Sequence, residues 1–302
     1  MNTRVLITGG AGFIGSAVIN DLEKDHEIFV IDNLSFGSRS FIKTDDEHFF
    51  ETDILDRKKI FEIMNTVKPQ IVIHLAAIHF IPYCNQHPYE SSNINIQGTI
   101  NMLDACAEQN VEKFFFASTA AVYPIYEEAV SEVHPTGPLD IYGLSKLTGE
   151  RLCNEFFLKS NITTIVCRFF NAFGPNETNP HLIPEIQQQI NEGKRKIFLG
   201  NLTPKRDFIH TSDMASAVRT LLQNVKSGIH TYNLGRGIEY SVTEIVESFE
   251  RQLNEKVHIE VEASRVRKVE RMHLLADVSK LKALGWEPKI GIDEGIKTLI
   301  EQ

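Results

Sequence analysis

Three glycines spaced G-x-x-G-x-x-G near the amino terminus constrain this chain more than any other feature. They lie within Arg4-Val-Leu-Ile-Thr-Gly-Gly-Ala-Gly-Phe-Ile-Gly-Ser16, after the apolar, β-branched run Val5 to Thr8 and before a helical-looking stretch, Ser16 to Lys24. A short buried strand that turns through such glycines into a helix is the phosphate-binding unit of a doubly wound α/β fold. Gly9 lets the chain turn sharply out of the strand, Gly12 lets backbone approach a pyrophosphate, and Gly15 lets the helix pack closely on the sheet. The helix that opens through Phe13 and Ile14 presents unpaired N–H groups and the positive end of its dipole to that pyrophosphate. Tight turns use glycine for other reasons, so the loop needs support from elsewhere. A second strand, Glu27 to Ile31, supplies it by ending in Asp32, at about the distance expected for the acid that bonds an adenosine ribose. Asp32 as a turn residue is the plainer alternative. An acid there favours NAD over NADP, because a 2′-phosphate would be repelled, although Arg39 is close in sequence.

At 302 residues and 42% hydrophobic, the chain is long enough for a large core, as one big domain or two. A net charge of −9, with no basic run and no stacking-aromatic motif, argues against a nucleic-acid surface. No apolar run reaches the length of a membrane span, and the first strand starts too near Met1 to leave room for a signal peptide. Cys84, Cys106, Cys153 and Cys167 lack metal spacing and are too few for a disulfide framework, so buried thiols are expected, and no metal. The composition describes a cytoplasmic α/β protein.

Strands and helices alternate. Strand 4–8, helix 13–24 and strand 27–31 are followed by a loop rich in Asn, Ser and Gly, the strand Phe49-Phe50, a helix at about 56–67 and the strand Gln70 to Leu75. A helix from about Pro88 to Gln109, the strand Lys113 to Ala117, a helix at 142–159 and the strand Thr163 to Arg168 come next. Alternation of this kind predicts a Rossmann-type, doubly wound parallel sheet with right-handed crossovers and helices on both faces. Residues 1–171 plus about 206–239 are assigned to this NAD-binding domain, with helix 211–223 and strand His230 to Leu234 returning to the sheet. Residues 172–205 plus about 240–302 are expected to form a smaller, discontinuous α/β domain over the strand ends.

Ligands of such sheets sit beyond the carboxyl ends of the strands. There the chain places Leu75-Ala76-Ala77, whose small residues let a cofactor lie close to backbone or simply pack a helix. It also places Ser118-Thr119-Ala-Ala-Val-Tyr123 and Phe169-Phe170-Asn171-Ala-Phe-Gly-Pro175. Tyr142 and Lys146, four apart at the start of a helix, share one helical face. An ammonium near a phenol stabilises phenolate and lowers the tyrosine pKa toward a value useful for proton transfer. Thr119 is in reach of the same substrate hydroxyl. Alone, the Tyr/Lys pair reads as surface decoration; with the glycine loop and a hydroxyl-bearing strand end it reads as a catalytic set.

Together these residues resemble the extended branch of the short-chain dehydrogenase/reductase superfamily, the NAD-dependent sugar-nucleotide epimerases and dehydratases. The similarity runs nearly the whole chain: Thr8 to Gly15, Asp32-Asn33-Leu34-Ser35, Asp53-Ile54, His74-Leu75-Ala76-Ala77 and Asn95-Ile-Gln-Gly-Thr99. It continues through Tyr142-x-x-x-Lys146, Arg168-x-x-Asn171-x-x-Gly174-Pro175, Arg206-Asp207-Phe208-Ile209-His210 and Leu284-Gly-Trp286. The resemblance implies an NAD site formed by the glycine loop with Asp32, Asn33, Ser35, Asp53 and Ile54 on the adenosine side. Leu75, Ala76, Ala77, Asn95, Ser118, Tyr142, Lys146 and Phe170 line the rest of it. It implies a nucleotide-sugar facing Thr119, Tyr142, Asn171, His181, Leu182, Arg206 and Arg265, with Arg206 meeting the diphosphate. A guanidinium in a strand-end cleft suits a phosphate pair, the alternative being a salt bridge to Asp207.

Departures from the pattern narrow the reaction. Dehydratases of this family usually place Asp-Glu, or a Glu, just after the catalytic Thr; here Ala120 and Ala121 stand there and cannot transfer protons, as in 4-epimerases. Tyr123-Pro124 looks more like GDP-sugar epimerases and reductases. The phosphate-binding Arg-x-Gly-Asp appears as Arg265-Val-Arg-Lys268, without its Gly-Asp turn. The segment His79-Phe80-Ile81-Pro82-Tyr83 is unusual and flanks the expected sugar position; His79 and His181 are either sugar contacts or ordinary loop histidines.

The resemblance thus implies an NAD-dependent epimerase acting at C4 of a nucleotide-sugar, a UDP-sugar first, through a transient 4-keto intermediate. The alternatives are a GDP- or CDP-sugar 4,6-dehydratase, a 3,5-epimerase or a 4-keto reductase, and, from another class, a non-catalytic NAD-binding protein. It further implies a homodimer through a four-helix contact of the helices at about 88–109 and 142–159, which carry Ile96, Ile100, Leu103, Leu147, Leu152 and Phe156. Packing of those residues on the protein's own sheet is the alternative.

Overall fold

The structure, a computed structural model, describes residues 2–265 and 271–301. In chain order it runs β1 (Thr3–Thr8), α1 (Phe13–Leu22), β2 (His26–Asp32), β3 (Phe49–Glu51), α2 (Arg57–Val67) and β4 (Ile71–His74). Two short helices, α3 (Ile81–Gln86) and α4 (Pro88–Ser92), pass through a π-helical turn at Asn93–Gln97 into α5 (Gly98–Gln109). Then come β5 (Lys113–Thr119), α6 (Ile141–Ser160), β6 (Thr163–Phe169), β7 (Asn171–Phe173), α7 (Leu182–Asn191), β8 (Lys196–Leu199) and β9 (Lys205–His210). The remainder is α8 (Thr211–Asn224), β10 (Ile229–Leu234), β11 (Glu239–Ser241), α9 (Val242–Leu253), β12 (His258–Val261), α10 (Ser279–Lys282) and α11 (Ile292–Ile300).

Seven parallel strands in the order β10-β6-β5-β4-β1-β2-β3 make the central sheet. The order reverses between β1 and β4, the switch point beside which ligands of open α/β sheets bind. Its strands read as continuous apolar runs because both faces are covered. Val5, Ile7 and Phe115 enter the core under α1 and α8, whereas Leu6, Phe114 and Phe116 enter the core under α2, α5 and α6. This alternation is the two-residue period of a strand with nothing polar on either side. Strand β10 lies in the sheet beside β6, and α8 packs on α1.

Two smaller sheets, β11-β9-β7 and β12-β8, carry a third core with α7, α9 and α11, built on Phe173, Ile186, Phe208, Ile245, Phe249 and Ile296. Strand β9 differs from expectation. Its residues 205–210 pair with β7 and β11 rather than joining the parallel sheet, so the chain leaves the small sheet only at α8. The helix expected at about 88–109 is present as α4 and α5 joined through the π turn, and a separate helix, α3, precedes it. All four cysteines are buried and free. Among the described residues, no helix is long and apolar enough to cross a membrane.

Candidate active site

The glycine loop folds as its residue types require. Gly9 has φ +72°, and a β-carbon there would lie 2.7 Å from the Ala76 backbone nitrogen. A β-carbon on Gly15 would lie 2.2 Å from the Gly9 carbonyl oxygen, so only glycine lets α1 start this close to the turn. Phe13 and Ile14 open α1 behind Gly12, where no side chain caps the first N–H groups. That leaves unpaired donors and a dipole end facing the strand ends. Asp32 closes β2, 9% exposed, and accepts hydrogen bonds from Ala11 N at 3.0 Å and Leu34 N at 2.8 Å. Burial pushes its carboxyl above the usual range, against the pull of those two bonds. The same carboxylate therefore ties the glycine loop to the end of β2.

Beyond Asp32 the side chains interlock. Asn33 donates to Asp53 at 2.9 Å, Ser35 donates to Asn33 at 2.7 Å, and Leu55 N donates to Asp53 at 2.8 Å. Ile54 is buried against Gly98 at the start of α5. At the end of β4, Leu75, Ala76 and Ala77 are half-buried; Ala76 N donates to the Thr8 hydroxyl, which also meets His74. Asn95, in the π turn, accepts from Ile78 N at 2.8 Å and donates to Ile78 O at 2.9 Å and to the Ser145 hydroxyl at 3.0 Å. Single π turns inside helices recur at functional positions because they re-aim one side chain. An uncapped helix start, a floor without β-carbons and an acid at the end of β2 fit a dinucleotide such as NAD.

Thr119 ends β5 and accepts from Ala121 N at 3.1 Å, starting a short 3-10 turn. Asp140 caps α6 by accepting from Gly143 N at 2.7 Å, which fixes where the helix begins. Gly143 abuts the backbone of Ala121, and Thr119 is the side chain whose hydrogen bonding acts on the neighbouring Tyr142 phenol. Burial pushes the Tyr142 phenol above its usual range, and the Thr119 bond works against that. The lowering of this pKa expected from Lys146 is not found: desolvation sets the direction, and the opposing pull comes from Thr119 rather than from Lys146. Lys146 itself is 2% exposed, its Nζ 4.9 Å above the Phe116 ring. Burial pulls its ammonium down to about 8. The cleft thus holds a phenol and an amine, both displaced toward their neutral forms.

Ser118, 2% exposed, donates to Glu150, whose carboxylate pairs bidentately with Arg168 at 2.9 and 2.7 Å. Arg168 also donates to the Tyr123 hydroxyl, which in turn donates to Asn233. This buried network lies behind the end of β5, and Tyr123 belongs to it. Phe170 is buried, and its N–H donates to Leu234 O.

On the opposite side, Asn171 is half-buried in β7, pairing with Phe208 of β9. Arg206, on β9, donates to Lys205 O at 2.8 Å. Asp207, its sequence neighbour, is fully buried and accepts from the backbone N–H groups of Arg236, Gly237 and Ala276. Burial raises the Asp207 carboxyl to about 6, with those bonds acting against it. His181 is the residue before α7, and Leu182 opens that helix against the third core. Arg265 pairs with Glu185 at 2.8 Å and Glu262 at 2.7 Å. The remainder of the Arg265-Val-Arg-Lys268 segment lies outside the described residues. The sequence reading missed Gly143, Gly149 and Glu177. A β-carbon on Gly149 would lie 2.3 Å from the Phe116 ring, and small residues at 143 and 149 on one helix were the available signal.

Residues 5–235 match the model of the NAD dependent epimerase/dehydratase family. The chain belongs to that family. Among relatives of this epimerase/dehydratase, the UDP-glucose 4-epimerase of Bacillus subtilis (strain 168) is 31% identical, covering 96% of this chain and 94% of its own. The human dTDP-D-glucose 4,6-dehydratase is 28% identical over 99% of this chain and 88% of its own. The UDP-glucose 4-epimerase of Thermus thermophilus, solved in complex with NAD, superposes with a TM-score of 0.90 at 28% identity, covering 99% of this chain and 98% of that one. The fold and the NAD-type cradle of this family member agree with those comparisons.

Proposed function

We propose that the chain is an NAD-dependent 4-epimerase of a nucleotide-sugar, with a UDP-sugar as substrate. The observation that carries the proposal is the apposition of Tyr142 and Thr119, with Lys146 one turn along the same helix and only methyl groups at Ala120 and Ala121. Bound NAD would supply the oxidant at C4, return the same reducing equivalent, and as a cation favour the phenolate.

The chain's own groups do the rest. Gly9, Gly12, Phe13, Ile14, Gly15, Asp32, Asn33, Ser35, Asp53 and Ile54 hold the cofactor's diphosphate and adenosine. Leu75, Ala76, Ala77, Asn95, Ser118 and Phe170 line its other half. Tyr142 takes the proton of the sugar 4-hydroxyl and later returns it. Thr119 orients that hydroxyl, and Lys146 holds the cofactor ribose and the phenolate charge. Asn171, His181, Leu182, Arg206 and Arg265 grip the nucleotide and diphosphate, so that the 4-keto sugar can turn over without leaving. We assign the parallel sheet and its helices, residues 1–170 plus about 211–238, to the cofactor, and 171–210 plus about 239–302, with the small sheet, to the substrate. The exposed Leu144 and Leu158 on α6 and Tyr89 on α4 support a homodimer through these helices, since Leu103 and Phe156 are buried in the protein's own core. The acidic charge and the lack of a membrane-crossing helix among the described residues support a cytoplasmic location.

A second reading, a 4,6-dehydratase or 3,5-epimerase, draws on Glu177 and His181, which sit 3.3 Å apart beside the expected sugar position and are an acid–base pair. Incubation with UDP-glucose, UDP-GlcNAc, their glucuronate forms and GDP-mannose, followed by NMR, separates the two. A C4 epimer without net NADH is expected. A 4-keto-6-deoxy product favours the second reading, and no conversion by NAD-loaded protein overturns both.

A further inference from the structure

The loop after β4 and the loop before α7 converge on a cluster of which the 4-epimerase mechanism above uses only His181. His79, Glu177 and His181 each direct a ligand-type atom into one spot, all within 4.8 Å of one another. His79 and Glu177 are about a hundred residues apart, so no local spacing reveals this. Glu177 Oε2 lies 3.3 Å from His181 Nδ1. That is long for a charge-assisted hydrogen bond, which runs at about 2.7–2.9 Å. It matches two ligand atoms about 3.3–3.4 Å apart on a tetrahedral ion with bonds of ~2.0–2.1 Å.

The surroundings are those of a ligand set. The Glu177 side chain is only 5% exposed, and among the described residues its ion-pair partner is His181, with no lysine or arginine bridged to it. A buried carboxylate is costly unless it is paired or coordinates a cation. Asn179, 6% exposed, supplies an outer contact to Glu177, its backbone N–H donating to the carboxylate at 3.0 Å; its side-chain amide lies 3.2 Å from His79 Nε2 and accepts from an Nδ1-ligating His79 once its oxygen is turned to the ring. Outer partners of this kind orient metal ligands. Lys146 lies near enough to disfavour a cation, and the Glu177 charge offsets it. The His181 side chain, 41% exposed, leaves an entry path.

We propose that His79, Glu177 and His181 form a binding site for one divalent transition-metal ion, with Zn2+ as the best match. Two imidazoles and one carboxylate leave a fourth tetrahedral position open. Water fills it in the free protein. Binding is a property of the cluster itself and does not depend on which reaction the cleft performs.

The test uses the tag-free, full-length protein after chelator treatment, titrated with Zn2+ by calorimetry and with Co2+ by visible absorption. One equivalent per chain is expected, with Co2+ giving the intense visible bands of a four- or five-coordinate site. His79→Ala, His181→Ala and Glu177→Gln should each weaken Zn2+ binding by at least the ~10–100-fold lost when an outer partner is removed. His48→Ala, which removes the half-buried His48 beside Asp45 and Glu27, should leave binding unchanged. Circular dichroism separates a variant that lost its ligand from one that lost its fold, and the wild-type Co2+ spectrum needs no variant. Absence of stoichiometric binding, an octahedral Co2+ spectrum, or binding that survives Glu177→Gln and His181→Ala in folded protein overturns the site.

Discussion

A β-carbon placed on Gly143 would stand 2.4 Å from the carbonyl oxygen of Ala121. The start of α6 and the turn after β5 therefore touch backbone to backbone, next to the point where Tyr142 meets Thr119. Gly143→Ala should push the helix off the turn, costing about 1–3 kcal/mol as overpacking does. Urea unfolding measures the loss, and kcat should fall while the NAD content on purification stays the same. Unchanged kcat would separate the contact from the chemistry.

Tyr142→Phe removes the proton acceptor and little else, because the ring keeps its place. The proposed mechanism predicts a drop in kcat of about 10²–10⁴-fold, with KM for the nucleotide-sugar nearly constant. Steady-state epimerisation at saturating substrate reads this directly, and activity near wild type would remove the phenol from the mechanism.

Lys146 gives a stability signature with a defined sign. Its folded-state value of about 8 lies below the ordinary 10.5, so the folded state disfavours the charged form. Below pH 8 both states hold the proton and the penalty is fully present, on the order of 3 kcal/mol. Between pH 8 and 10.5 the unfolded chain binds more protons, and this group's contribution to stability rises with pH. In NAD-free protein, Lys146→Met should therefore be more stable than wild type at pH 7, and the gap should close toward pH 10.5. Paired denaturant curves at several pH values check it, and a gap that widens with pH would reverse the sign argued here.

Glu150 and Arg168 form an ion pair with side chains 9% and 7% exposed. Removing one partner of such a pair strands the other, at a cost of about 3–5 kcal/mol. Glu150→Ala should lose that much in chemical denaturation and also free Ser118 next to Thr119. Glu150→Gln keeps the shape and one acceptor, and should lose less.

Much of this molecule is legible in its residues. The glycine loop, Asp32 and the Tyr142/Lys146 spacing are local patterns, each ambiguous alone and legible together because the alternation around them dictates the parallel sheet whose strand ends they share. The small sheet is not legible in the same way. Strand β7 is Asn-Ala-Phe and β11 is Glu-Tyr-Ser, too short for any period, and their pairing with β9 is fixed by the third core. The break at α3 is hidden because Pro82 is tolerated in a first helical turn, where its missing N–H costs nothing. The raised Tyr142 pKa escapes the sequence for a different reason: charge proximity can be read from spacing, and desolvation cannot. The cluster of His79, Glu177 and His181 depends on two distant loops meeting, which only the tertiary structure supplies.

Asn95 holds both backbone groups of Ile78 and the hydroxyl of Ser145 with one side chain. The segment leading into His79 and the helix bearing Tyr142 and Lys146 are thereby riveted into a single wall. A sugar swivelling between its two faces meets no give on that side. Whatever room the swivel demands must come from the opposite bank, where β7, β9 and α7 stand on a separate core. Tolerance for bulkier sugars should therefore be adjustable by redesigning that bank while the chemical wall is left untouched.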